Sequence, residues 1–264
     1  MSSSKRIEQN LPLTIYGLKS VLIHPKDNIF EILCDSLDAA NLSFEDGDIL
    51  VIAESALATS ENRLVLLDSV SPSADAFCYS KTTGLDAREV ELILQESEHV
   101  FGGVSGVLLT LWNGILCPNA GIDNSNAPEG YVILYPKNPS KSAQQIMYSA
   151  AKRFKKRIGV IIADSRTQPL RLGCTGVAIG AAGFEAVLDK RGEKDLFGKS
   201  LHITRIAAAD ILASAAEAVM GECGECIPFA LIRNSFAVMN PNAAGVLTIP
   251  ADECMYLGCL KKQD

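Results

Sequence analysis

Two short apolar runs constrain this chain more than any other feature. Ile49-Leu-Val-Ile-Ala53 and Ile158-Gly-Val-Ile-Ile-Ala163 are rich in β-branched residues and too short for helices, so both read as buried strands. The first follows the turn Glu45-Asp-Gly-Asp48. The second delivers Asp164 at its C-terminal end, where a rigid element can hold a functional side chain. Apolar residues at helical spacing predict helices over 29–40, 88–95, 140–157 and 207–220. Further strands are expected at 104–112, 114–118, 131–135, 202–206 and 229–233, with Asn113-Gly114 a strong hairpin signal between the first two. Stretch 119–130 reads as a polar loop, and 189–198 as a charged turn. Strands and helices alternate without a regular βαβ period, so the expected class is α+β, with mixed or antiparallel sheets and packed helices. All of 1–264 is read as one domain, built from two interleaved subdomains whose boundary the sequence does not assign.

Composition removes several functions. Lys and Arg number 24 against 31 Asp and Glu, a net charge of −7, so nucleic acid is not an expected partner. A bound nucleotide would then need metal ions to cancel its charge. No stretch reaches the roughly 18 apolar residues of a membrane span, and the start Met1-Ser-Ser-Ser-Lys-Arg-Ile-Glu8 lacks an apolar leader region. The expectation is a cytoplasmic protein with no membrane partner. Its eight cysteines, Cys34, Cys78, Cys117, Cys174, Cys223, Cys226, Cys254 and Cys259, then read as reduced thiols. Only Cys223-Gly-Glu-Cys226 has close spacing, and it lacks both a second pair for zinc and the flanking strand and helix of a redox motif. His99 and His202 lie in no motif and read as structural.

Two further signals have plain readings. The glycine-rich run 173–183 has no Lys-Ser/Thr after its glycines and no G-x-G-x-x-G, so it is not a phosphate loop of known type. Close backbone packing is the simpler reading. The basic run Lys152-Arg-Phe-Lys-Lys-Arg157 suits a solvated last helical turn, where cations complement the dipole.

Scattered carboxylates point to chemistry more directly. Asp123 sits in a loop too polar for a plain turn, Asp164-Ser165 ends a hydrophobic strand, and Glu222 and Glu225 follow a helix C-terminus, where the dipole disfavours acids lacking a cation. Oxygen ligands from several elements suit Mg²⁺ or Mn²⁺ bridging a nucleotide's phosphates. Each acid equally fits as a cap or turn residue.

Five motifs in one order carry a resemblance: Asn119-Ala-Gly-Ile-Asp-x-Ser-Asn126, Gly159-Val-Ile-Ile-x-Asp-Ser165, Gly176-x-Ala-Ile-Gly180, Lys194-Asp-Leu-Phe-Gly198 and Met220-Gly-Glu222. With Glu45-Asp-Gly-Asp-Ile-Leu-Val51, they resemble the coenzyme F420:L-glutamate ligase family over about residues 17–233. The resemblance implies an α+β homodimer that joins L-glutamate to a cofactor carboxylate, using GTP and two divalent cations per site, Mg²⁺ or Mn²⁺, with K⁺ as an additional ion. It implies Asp123 and Asp164 on one metal, and Ser165 and Glu222 on the second. Ser20, Val21, Leu22, Ile23, the turn residues Glu54 and Ser55, Asn126, Met220, Gly221, Cys223, Gly224, Glu225, Cys226 and Ile227 would hold the nucleotide. Arg171 is read as an anion clamp, with a surface ion pair as its alternative.

The sequence departs from the family pattern at three places. Thr59 stands where a Lys is usual, Arg166-Thr-Gln-Pro-Leu-Arg171 stands for x-Gly-Arg-Pro-Trp-Arg, and Cys226 stands for Gly. The first bears on the nucleotide, the second on the acceptor. The expected acceptor is a deazaflavin carboxylate. A pterin (folate-type) carboxylate is the alternative, and a non-catalytic nucleotide-binding relative is a second one.

Overall fold

The computed structural model describes residues 11–260; the N-terminal stretch 1–8, read above for a leader region, lies outside them. In chain order the elements are β1 (Thr14–Leu18), α1 (Ile29–Ala39), β2 (Ile49–Ala53), α2 (Glu54–Ser60), β3 (Leu64–Leu66), α3 (Ala74–Thr83) and α4 (Ala87–Glu96). Next come β4 (His99–Val104), β5 (Val107–Trp112), β6 (Ile115–Pro118), β7 (Tyr131–Ile133), α5 (Pro139–Phe154), β8 (Gly159–Thr167) and β9 (Cys174–Phe184). The chain continues through β10 (Leu188–Asp189), β11 (Arg205–Ile206), α6 (Ala208–Met220), β12 (Phe229–Arg233), β13 (Met239–Ala244) and α7 (Met255–Leu260). The architecture is α+β with mixed and antiparallel sheets, as expected.

The central sheet runs β1-β12-β2-β8-β9-β13 and is antiparallel except for the β2–β8 pair. Its inner strands are buried on both faces, which is why their sequences are continuously apolar rather than alternating. Leu50, Ile52, Val160 and Ile162 pack with Leu33 and Leu37 of α1 and with Ile146 and Met147 of α5. Ile49, Val51, Ile161 and Ala163 face Leu212, Ala213 and Ala216 of α6. Asn28 caps α1 through its side-chain oxygen, accepting from the amides of Phe30 and Glu31 at 3.1 and 3.4 Å.

Between α2 and α5 the chain builds a smaller unit, with sheets β3-β7 and β4-β5-β6 and its own apolar cluster around Val90, Ile93, Leu108 and Val132. The Asn113-Gly114 hairpin is present, with both residues at positive φ, 46° and 70°, and Trp112 paired to Ile115.

Three readings are corrected here. Stretch 104–112 is not one strand: Ser105-Gly106 turns it, with Gly106 at φ 83°, making a second hairpin of β4 and β5. Glu54-Ser55 is not a turn but the start of α2. In 202–206 only Arg205 and Ile206 form a strand, because their partner β10 is itself two residues long. The glycine-rich run is strand β9. A Cβ on Gly176 would lie 2.5 Å from the Ala213 carbonyl oxygen of α6, and one on Gly180 2.6 Å from the Pro139 carbonyl carbon of α5. The glycines let two helix backbones close onto one strand.

Candidate functional site

Strands β2 and β8 run parallel with Ala53 opposite Ala163. There β2 ends and the chain turns into α2 at Glu54, while β8 continues through Asp164 and Ser165, paired only to β9. Losing its neighbour on one side opens this end of β8. Such carboxyl ends of parallel strands are where open α/β sheets bind ligands. A cavity of about 410 Å³ lies here. One side is formed by segment 20–23 and the loop after α6, which are joined by a hydrogen bond that the Ser20 amide donates to the Cys226 carbonyl at 3.0 Å. Loop 118–126 forms another side.

Asp164 is held from behind. The Tyr135 hydroxyl donates to its Oδ2, and Arg166 Nε donates to the same oxygen at 2.9 Å. Arg166 Nη2 also reaches the Tyr135 hydroxyl at 3.1 Å, and Nη1 reaches the Leu116 carbonyl at 3.1 Å. The side chains of Arg166 and Asp164 are only 6% and 13% exposed. None of these bonds uses Oδ1. Burial, with the Asp164 charge adding to it, pushes the Tyr135 phenol well above its ordinary range, so it stays a proton donor at neutral pH. Gly121 (φ 72°) lies so close over the Tyr135 ring that any Cβ would overlap it.

Asp123 is anchored by its backbone, which exchanges hydrogen bonds with Ile133 at 3.0 and 2.7 Å. The Ser125 amide donates to its Oδ1 at 2.8 Å and the Ser125 hydroxyl to its Oδ2 at 2.6 Å. Asn119, Ala120 and Gly121 are three successive left-handed residues that give the loop its course. For Ala120, with a Cβ and φ 52°, that conformation costs on the order of 1 kcal/mol.

The charge on the lining is one-sided. Glu54, Asp123, Asp164, Glu217 and Glu222 line the cavity, and no described Lys, Arg or His does. Burial first, then the Asp164 and Asp123 charges, drive the Glu54 carboxyl well above its usual range. The Oε1 atom of Glu217 is buried with no hydrogen-bond partner. Such a cavity holds an anion only if cations enter with it. Among the described residues, no three His, Cys, Asp or Glu side chains form a ready ligand group. Mg²⁺ and Mn²⁺ need only one or two protein carboxylates and complete their shell from phosphates and water, so Asp123, Asp164 and Glu222 are the lining residues that could hold such an ion.

The structure brings Asp123, Asp164, Ser165 and Glu222 to this one cavity, together with Ser20, Val21, Leu22, Ile23, Glu54, Ser55, Asn126, Met220, Gly221, Cys223, Gly224, Cys226 and Ile227. Two expected residues are placed elsewhere. Arg171 is exposed in the β8–β9 turn, between the fully exposed Leu170 and Leu172, and does not line the cavity. The cation beside Asp164 is Arg166. Glu225 does not line the cavity either; its Oε2 folds back to accept from the Cys223 amide at 2.8 Å, bracing the loop. Cys226, standing for the usual Gly, sits at φ 58°, a conformation glycine adopts without strain. All eight cysteines are free. Sequence reading missed Tyr135, Arg166 and Glu217. Glu217 carried the one usable signal, an acid within the last turns of an otherwise Ala-rich helix.

A family model described as F420-0:Gamma-glutamyl ligase matches residues 17–234. The chain is 40% identical to the coenzyme F420:L-glutamate ligase of Methanopyrus kandleri, over 80% of this chain and 82% of that one. It is also 40% identical to the enzyme of the same name from Methanocaldococcus jannaschii, over 82% and 87% of the two chains. Against that of Methanothermobacter thermautotrophicus the identity is 36%, over 84% and 88%. No helix among the described residues is long and apolar enough to cross a membrane.

Proposed function

The chain belongs to the F420-0:gamma-glutamyl ligase family, and from that premise we propose that it joins the amine of L-glutamate to the carboxylate of a deazaflavin cofactor precursor, at the expense of GTP. One observation carries the nucleotide and metal part of this reading: five carboxylates and no basic side chain line the cavity.

A carboxylate does not react with an amine at neutral pH, because its leaving group is poor. Transfer of the GTP γ-phosphoryl group to the acceptor carboxylate gives an acyl phosphate and GDP. The glutamate nitrogen, deprotonated to the free amine, attacks the acyl carbon with its lone pair; the C–N bond forms, phosphate leaves with the C–O bonding pair, and the second proton shed by the nitrogen passes to the departing phosphate. Positioning and charge neutralisation account for most of the catalysis in such transfers. Divalent cations would supply the positive charge that offsets the phosphates. Asp123 and Asp164 would hold the first, with Tyr135 and Arg166 fixing Asp164 so that Oδ1 is the oxygen left for a ligand. Ser165 and Glu222 would hold the second. Glu54, Ser55 and Asn126, with segments 20–23 and 220–227, surround the nucleotide. Leu170, Leu172, Leu196 and Phe197 are almost fully exposed, and their cover in a homodimer is part of the same reading.

The test is mass spectrometry of reactions containing Mn²⁺ or Mg²⁺, GTP, L-glutamate and either the deazaflavin precursor or a pteroate. The expected result is a metal- and GTP-dependent product one glutamyl residue heavier on the deazaflavin. Addition to the pteroate alone reassigns the acceptor, and nucleotide binding without addition to either sinks the ligase reading. A second expectation concerns Thr59, which lines the cavity near the C-terminus of α2. Thr59→Lys puts a cation where none stands and is expected to tighten GTP binding at limiting Mn²⁺ by about tenfold, the scale of one charge-assisted hydrogen bond. Unchanged affinity in a fluorescent-nucleotide titration would show that residue 59 does not reach the phosphates.

A further inference from the structure

Asp123 and Asp164 line the same cavity but are held in different ways. On Asp123 the two Ser125 donors are divided, one to each oxygen, so both oxygens keep a free lone pair. On Asp164 both donors, the Tyr135 hydroxyl and Arg166 Nε, meet on Oδ2 and fill its lone pairs. Oδ1 accepts from no described group and yet is not shut away. Among the described residues, the sole buried side-chain nitrogen or oxygen without a partner is Oε1 of Glu217. Oδ1 is therefore the open oxygen of Asp164.

Neither donor on Oδ2 is free to swing aside. The Tyr135 ring lies under the Gly121 backbone and meets the Trp112 ring edge-on, with centroids 4.8 Å apart. Its residue is 2% exposed, and its carbonyl accepts from Arg63 Nε at 2.8 Å. Arg166 spends its planar fork on three acceptors at once: Asp164 through Nε, the Leu116 carbonyl through Nη1 and the Tyr135 hydroxyl through Nη2. A guanidinium tied in this way has one orientation. The Asp164 carboxylate then cannot turn to offer both oxygens to one ligand.

We propose that Tyr135 and Arg166 are positioning residues that make Asp164 a one-oxygen ligand and thereby tune the cavity toward Mg²⁺ and against Ca²⁺. The inference rests on the metal part of the ligase reading. Mg²⁺ demands near-ideal octahedral geometry, whereas Ca²⁺ gathers about six to eight oxygens in a flexible shell and takes carboxylates bidentately. A carboxylate with its second oxygen filled denies Ca²⁺ one ligand and costs Mg²⁺ nothing. The Arg166 charge acts on both dications alike, so it cancels from their ratio. What remains is the number of oxygens that Asp164 can give.

The experiment reads Mn²⁺ bound to the full-length protein by electron paramagnetic resonance, with a non-hydrolysable GTP analogue present. Mg²⁺ or Ca²⁺ displaces it, and the ratio of the two displacement constants is the quantity compared. Arg166→Met is expected to shift that ratio toward Ca²⁺ by about tenfold, the lower end of what the partners of a metal-binding side chain contribute. Tyr135→Phe, which keeps the ring in place and frees one lone pair of Oδ2, is expected to shift it the same way by about threefold, and it carries the test if Arg166→Met does not fold. Arg63→Met loosens the Tyr135 backbone without touching Oδ2 and is expected to stay within about twofold of wild type. A wild-type ratio in both Arg166→Met and Tyr135→Phe overturns the proposal. So does an Arg63→Met shift as large as theirs, which would assign the selectivity to looseness of the fold. Failure of the metal reading itself appears separately, as a wild-type protein that binds no Mn²⁺ beside the nucleotide.

Discussion

Asp164→Ala is expected to abolish ligation and to destabilise the fold in the same step. The loss of activity, at least about a hundredfold, follows from removing a carboxylate proposed to hold a metal ion. The loss of stability comes from Arg166, whose side chain is 6% exposed and whose charge is answered by Asp164 at 2.9 Å. Removing one partner of a buried pair costs about 3–5 kcal/mol, because the other charge stays buried without compensation. For a chain of this size that lowers Tm by roughly 6–20 °C. The two effects separate in the double variant Asp164→Ala/Arg166→Met, which is expected to recover most of the lost stability and none of the activity. Asp164→Asn, which still accepts from Tyr135, is expected to be inactive with a smaller stability loss than Ala. Thermal unfolding beside single-turnover assays reads both quantities. An Asp164→Ala protein that melts with wild type would show that Asp164 does not balance Arg166.

Gly176→Ala and Gly180→Ala carry the other large expectation, a loss of stability at or above the top of the range for overpacked cores, about 3 kcal/mol each. The clashing atoms are backbone: the Ala213 carbonyl at 2.5 Å for Gly176, and the Pro139 carbonyl carbon at 2.6 Å with the Ser140 amide nitrogen at 2.7 Å for Gly180. A helix backbone cannot rotate away as a side chain can, so α5 or α6 must shift bodily. Because α6 also carries Glu217 and leads into the loop 221–227, Gly176→Ala is expected to weaken nucleotide binding as well. Gly224→Ala serves as the stability control, since its Cβ would meet nothing within 4 Å. Urea unfolding midpoints test the set, and a Gly176→Ala midpoint equal to the control's would refute the close-packing account.

Strands β2 and β12, helices α1 and α6 and the Asn113-Gly114 hairpin were legible because each is encoded locally, by an apolar run, a helical period or a turn that needs positive φ. Helix α2 was not. It is seven residues long with no side-chain cap, so Glu54-Ser55 looked like a turn. Helix α3 was missed because its apolar residues scarcely segregate to one face, and only Ala76 and Thr83 are buried. The turn at Ser105-Gly106 was hidden inside an apolar stretch that reads as one strand.

The candidate site divides along the same line. Residue order alone marked Asp123, Asp164, Ser165 and Glu222 through motifs, and the net-acidic composition raised the expectation of cations beside any phosphate ligand. Which cation stands beside Asp164 was a tertiary matter. Arg166 and Arg171 are five residues apart in one polar stretch and chemically alike. The β8–β9 pairing buries the first beside Asp164 and Tyr135, 29 residues away from Asp164 in sequence, and leaves the second in the exposed turn. Likewise, nothing local to Glu217 says that its carboxylate oxygen ends up walled in without a partner. Local sequence sets which conformations and charges each segment carries. Burial and pairing depend on what other segments bring to the same place, and only the packed chain decides that.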